Sequence, residues 1–262
     1  MLADDDHHLA RFWGATAPGV LSRLLDGDLP SDKDDRKRRK PDFEPLCWLP
    51  GIAPQGAVLM GMGSCSRPSR RRGVTVPLGA RGAPDVDRVR SFDLDPLYAA
   101  LQPGIDELNI EGCFCIGERV TLLQRGGRGS DNLALHYRLR DFLAVVEGRA
   151  GRTAPRSRTS YRLGLIDGVP LGFTDGAALP DGRWVFTAVA EASDDAYADG
   201  GCVGAAVGVV GADGRLQWLR RLAEPLKVEG IDARLRADGI DVVMVTDADD
   251  PDEPSWLVAA RL

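Results

Sequence analysis

Residues 226–234, LKVEGIDAR, set an acidic residue, Glu229, at the entry to an apolar, β-branched segment, and a close relative of this stretch recurs along the chain. Residues 41–46 (PDFEPL), 108–113 (LNIEGC) and 173–178 (FTDGAA) carry Glu44, Glu111 and Asp175 at the matching place. The intervals are 67 residues from Glu44 to Glu111, 64 from Glu111 to Asp175 and 54 from Asp175 to Glu229. Each motif opens a run with the alternation and turn residues of an antiparallel meander. Self-similarity at a period of about fifty residues is the signature of a radial or stacked repeat. The reading is an all-β, five-bladed β-propeller spanning residues 1–262 as a single domain, with a six-bladed ring as the alternative.

Strand counting supports five. Residues 1–13 and 19–25 supply strands of a first blade that lacks its own opening strand, and the last unit stops at residue 262, three strands into a blade. The chain is therefore expected to start inside the fold, leaving out N-terminal strands. The mixed-charge segment 31–40 (SDKDDRKRRK) reads as a solvated connector, because its three aspartates neutralise much of its basic charge. The blade opened by Glu44 has strands near 43–49, 57–62, 73–77 and 89–94, with the hydroxyl- and guanidinium-rich loop 63–72 (GSCSRPSRRR) between its second and third. Residues 133–146 fit a strand and a helix about equally. The clearest blade follows Asp175, where 183–190 (RWVFTAVA) has the β-branched and aromatic content of a buried strand. The Asp213-Gly214 and Asp238-Gly239 pairs mark tight hairpins.

A hydrophobic fraction of 44% provides for a sizeable core, and no apolar run reaches membrane-spanning length. Acidic residues at positions 4–6 stand where a secretory signal would carry positive charge. The expectation is a soluble, cytoplasmic protein without membrane association. Five cysteines at 47, 65, 113, 115 and 202 form no regular framework and read as reduced thiols. A net charge of −6 argues against nucleic-acid binding. The five tryptophans occupy non-equivalent points of the repeats and read as packing between blades.

In a propeller the chain enters strand one and leaves strand two of each blade on the same face, so the motif carboxylates and the loops after strand two converge at one mouth of the channel. Those loops bring Asp4, Asp5 and Asp6; Ser64, Ser66 and Arg67; Arg125; Glu191 and Asp194; and Asp247, Asp249 and Asp250. Carboxylates crowded in a narrow opening repel, and burial raises their pKa unless something compensates. Three compensations are open: a bound hard cation, the arginines of the second and third blades, or backbone amides of a neighbouring blade. The candidate ligand-binding set is Asp5, Glu44, Arg67, Glu111, Arg125, Asp175, Glu229 and Asp247. Glu44, Glu111, Asp175 and Glu229 are the candidate ligands of a cation, with Ca²⁺ the ion that all-oxygen ligands at blade-to-blade spacing suit best.

The segments KPDFEPL, GSCSRPSRRRGV, LNIEG, GVPLGFTDGAALPDGRWVFTAVAE and KVEGID resemble an uncharacterised bacterial β-propeller family known as a domain of unknown function. More distantly, VEGI-type motifs opening each blade are similar to those of esterase-like phytase domains and calcium-dependent lactonase or phosphotriesterase propellers. That kinship implies a metal-dependent hydrolase of esters, lactones or phosphate esters acting on a small anionic ligand. The chain departs from the lactonase pattern of metal-binding asparagines, of which only Asn109 beside Glu111 is suggestive. The alternative is a non-catalytic binding or scaffold propeller that docks a protein partner and whose carboxylates are structural.

Overall fold

The computed structural model describes residues 1–262 except 3–5, 13, 15–16, 53–55, 80–81, 128, 193–200 and 251. Asp4, Asp5, Trp13, Arg128 and Asp194 lie outside the described residues. The chain divides into two compact units, one of Met1–Ile110 with Tyr137–Pro155, the other of Glu111–His136 with Arg156–Leu262.

The first unit opens with a two-stranded antiparallel sheet, β1 (His8–Arg11) and β2 (Val20–Arg23). The charged connector is a helix, α1 (Lys33–Arg39), rather than a loop. Asp32 caps it by accepting the Asp35 N–H at 2.9 Å, with acidic residues in its first turn and basic ones in its last, the polarity a helix dipole favours. The first blade sheet then runs β3 (Phe43–Ile52), β4 (Gly56–Gly63), β5 (Arg72–Val76) and β6 (Arg90–Asp93) as a meander. Phe43, Val74 and Val76 of this sheet pack with Leu9 and Leu24 in a shared core. A short helix, α2 (Asp95–Leu101), follows β6.

The second unit holds three blade sheets. The first consists of β7 (Ile110–Ile116), β8 (Arg119–Gln124), β9 (Asn132–Arg138) and β10 (Ser157–Tyr161), in the order β10-β9-β8-β7. The ambiguous stretch 133–146 is both things in turn, since β9 gives way to α3 (Leu139–Val146), which belongs to the first unit and whose Leu139, Phe142 and Val145 are buried at helical spacing. The next sheet is β11 (Leu165–Ile166), β12 (Val169–Ala178), β13 (Trp184–Ala192), β14 (Gly201–Val210) and β15 (Leu216–Arg221). Asp167 and Gly168, both at positive φ, make the two-residue turn into β12. The last sheet is β16 (Val228–Arg236), β17 (Gly239–Thr246) and β18 (Leu257–Arg261), three strands as expected.

The central sheet explains the apolar run of β13. Trp184, Phe186, Ala188 and Ala190 face a core with Phe114, Leu123, Tyr161 and Phe173. The alternate residues Val185 and Val189 face another with Val207, Val228, Ile231 and Met244. A strand that is buried on both faces loses the polar half of its period-two pattern. Aromatic rings fill the first of these cores, Phe173 against Phe186 at 4.9 Å and Tyr161 edge-on to Trp184 at 5.7 Å.

The fold is thus all-β and made of β-propeller blades, four among the described residues, one in the first unit and three in the second. Ahead of them in the chain, β1 and β2 form a two-stranded sheet. No disulfide joins any of the five cysteines. Trp184 packs between sheets as expected, whereas Trp48 and Trp256 are exposed on the surface. Among the described residues no helix is long and apolar enough to cross a membrane.

Candidate functional site

Within the second unit the motif carboxylates lie on the first strands β7, β12 and β16, and each is followed by a glycine, Gly112, Gly176 or Gly230. These glycines let neighbouring strands close on each other. A Cβ at Gly112 would stand 3.1 Å from the backbone nitrogen of Gly176, and one at Gly230 would meet Val245 at 2.7 Å. Side chains joining the sheets complete the packing. Asn132 of β9 accepts the Phe173 N–H and donates to the Leu171 carbonyl, both at 2.8 Å. The Thr174 hydroxyl donates to the Val228 carbonyl at 2.7 Å.

Around this frame runs a relay of alternating charge. Arg125, just past β8, reaches Glu111 at 3.6 Å and Glu191, at the end of β13, at 2.9 Å. The Lys227 Nζ, at the threshold of β16, lies 3.2 Å from Glu191 and 3.3 Å from Glu229, and also pairs with Asp249 beyond β17. Glu111, Glu191, Lys227 and Arg125 each expose under a fifth of the side chain, and Asp249 about a third. Within the second unit, side chains at entries to strand one (Glu111, Lys227, Glu229) and at exits from strand two (Arg125, Glu191, Asp249) therefore meet.

The electrostatics follow from burial and from an excess of carboxylates. Burial pushes Glu229 up to about 7 against the pull of Lys227 and Arg125, with Glu191 and Asp249 adding to the rise. Burial likewise pushes Asp175 up to about 8, although its carboxylate accepts the N–H of Ile231 in the next sheet at 2.9 Å. For Lys227 burial acts downward, but Glu229, Glu191 and Asp249 together outweigh it and hold the ammonium above its ordinary value. Asp175 Oδ1, Glu191 Oε1 and Glu229 Oε1 are closed off from water and accept no hydrogen bond. The last two still lie within ion-pair distance of Lys227, where Coulomb attraction does not need hydrogen-bond angles.

The sequence-based candidates divide accordingly. Glu111, Arg125 and Glu229 come together. Asp175 sits between β7 and β16 and uses one oxygen to tie sheets together. Asp247 stays outside the relay; its side chain accepts the Asp249 N–H at 2.9 Å and so shapes the turn that presents Asp249 to Lys227. Asp5 lies outside the described residues. Glu44 and Arg67 belong to the first unit, where Glu44 is half-buried in a bulge of β3 and Arg67 precedes the 3-10 turn Pro68–Arg70.

Two residues escaped the sequence reading. Lys227 was legible as a cation two positions ahead of Glu229, the spacing that shares a face on an extended chain. In the first unit the buried carboxylate is Asp42, not Glu44. Asp42, at φ 54°, accepts the Ser64 hydroxyl at 2.5 Å and pairs with Arg70 at 2.7 Å and Lys40 at 3.1 Å. The loop GSCSRPSRRR thus folds inward through Ser64 and Arg70 to neutralise it.

As to a metal, Lys227 Nζ stands among the oxygens that would be its ligands, and among the described residues no group of three or more His, Cys, Asp or Glu side chains is arranged to hold an ion. No curated protein matches this chain. The family of unknown function DUF6910 matches residues 36–251, most of the sequence whose blades and acidic relay are described above, and the chain belongs to that family.

Proposed function

We propose that the mouth formed by Glu111, Arg125, Glu191, Lys227, Glu229 and Asp249 is a ligand-binding site that takes a hard cation, Ca²⁺, and through it a small anionic molecule. The observation that carries this reading is the charge balance. Four carboxylates, Glu111, Glu191, Glu229 and Asp249, face two cations, Arg125 and Lys227, and two of their buried oxygens, Glu191 Oε1 and Glu229 Oε1, accept no hydrogen bond. A divalent ion accepting oxygens from several strands would offset that excess, with Lys227 giving way to it. An anion alone would meet a negative field, since both resident cations are already paired. Hydrolysis of an ester, lactone or phosphate ester by a cation-activated water is the reaction class such a site would support, in keeping with the resemblance of the motifs to calcium-dependent lactonase propellers.

The reading that the carboxylates are structural, in a propeller that binds or scaffolds a partner, draws support from Asp175, whose Oδ2 is spent on the Ile231 N–H. In either case we infer that β1 and β2 belong to a fifth blade, preceding the four others in the chain.

Thermal melting separates the two. Ca²⁺ at a hundred times its Kd should stabilise the intact chain by about 2.7 kcal/mol and chelator should reverse this, with the response lost in Glu229→Gln. A melting temperature indifferent to both, together with no turnover of esters, lactones or phosphate esters in the presence of divalent cations, leaves the structural reading.

A further inference from the structure

The first unit contains a cleft of about 580 Å³, within the range of small-molecule sites, formed where the end of α1 and the loop before β5 face β6. We propose that it binds a small organic molecule through a phosphate group. This rests on different residues from the acidic mouth and is independent of its function.

The cleft is cationic in a chain whose formal net charge is −6. Arg39, Arg71 and Arg72 line it, with the hydroxyl residues Ser69 and Ser91, against one lining carboxylate, Asp93. Asp93 is engaged, because its side chain accepts the N–H of Asp95 at 2.8 Å where α2 begins. Arg39 and Arg72 are exposed and have no carboxylate partner among the described residues.

Arg71 is held in place for recognition rather than free to wander. Its guanidinium carbon lies 3.3 Å from the centroid of the Tyr98 ring, and Nη1 reaches Asp95 at 3.3 Å. Its Nε is closed off from water and donates to no group of the described residues. A planar fork already stacked and oriented loses little freedom when it donates to a second anion.

The Ser69 hydroxyl is spent on the Arg38 carbonyl at 3.1 Å, but three guanidiniums and the Ser91 hydroxyl still exceed what one carboxylate can accept, whereas the oxygens of a phosphate can take donors from several directions. Phosphate alone would leave most of the cleft unfilled. Phe92, which closes over Gly73 so tightly that a Cβ there would stand 2.2 Å from its ring, gives the cleft an apolar wall for an organic portion.

Calorimetric titration of the intact chain with phenyl phosphate, inorganic phosphate and benzoate tests this. Phenyl phosphate should bind saturably and at least about tenfold more tightly than either of the others. The affinity should fall about tenfold or more in Arg39→Ala/Arg72→Ala, two exposed positions whose loss should leave the melting temperature close to wild type. Glu229→Gln should bind as wild type does. Absence of saturable binding, an unchanged affinity in the double variant, or benzoate or inorganic phosphate binding as tightly as phenyl phosphate would each overturn the proposal.

Discussion

Asp175→Asn tests the electrostatics of the mouth with the smallest change of shape. A carboxyl pushed up from 3.8 to about 8 in the folded chain must hold a proton there over a range in which the unfolded chain has released it. Its contribution to stability is therefore fully present below pH 3.8 and is lost progressively as pH rises to about 8. The loss is about 1.4 kcal/mol per pH unit, or about 4 kcal/mol between pH 5 and pH 8. Asparagine carries no such linkage, and its amide oxygen can still accept the Ile231 N–H. The stability of the variant relative to wild type should therefore rise with pH, by an amount approaching that value, and the variant should be the more stable of the two at pH 8. Urea unfolding of both chains at pH 5, 6.5 and 8, in chelator, measures the difference directly. A difference that stays constant across the three pH values means that Asp175 ionises as an ordinary aspartate, and the account of a buried, proton-holding carboxyl fails.

Lys227→Met should destabilise the fold by about 2–3 kcal/mol at pH 8, less than for a fully buried ion pair because Asp249 is a third exposed, and by less at pH 5.5, where Glu229 takes up a proton; denaturant unfolding at the two pH values checks both. Asn132→Ala leaves the buried Phe173 and Gly126 N–H groups and the Leu171 carbonyl without their partner and should cost about 3 kcal/mol, read from the urea midpoint at unchanged m-value.

Much of the fold was legible because meander strands carry their own signals. The sequence reading puts strands at 57–62 and 73–77, and β4 and β5 lie there; the Asp213-Gly214 turn joins β14 to β15 as expected. The helices were harder for different reasons. Helix α1 buries no residue, so the apolar periodicity that announces a helix is missing, and only Asp32 and the ordering of charge along it give it away. Helix α3 follows β9 with no intervening breaker, so an amphipathic helix and a strand read as one apolar run.

The site was legible in position but not in role, and the reason is a single residue of register. Glu229 is the extra residue of a bulge in β16, between the pairs Val228 with Thr246 and Gly230 with Val245. In β12 the bulge falls between Phe173 and Asp175, so the extra residue is Thr174. Aligning the motifs on the acidic residue and its glycine therefore equates positions that the sheets do not. At the bulge a side chain is re-aimed out of the ladder, which sends Glu229 toward Lys227 and the charged relay. One residue later the side chain turns toward the adjoining strand, where Asp175 finds the Ile231 N–H. The same shift accounts for Thr174, whose hydroxyl takes the bulge position and reaches the Val228 carbonyl. Two carboxylates that look like repeats of one feature are thus a member of the relay and a bolt between sheets. Because pleat and bulge are set by pairing across strands, no spacing along the chain could have told them apart.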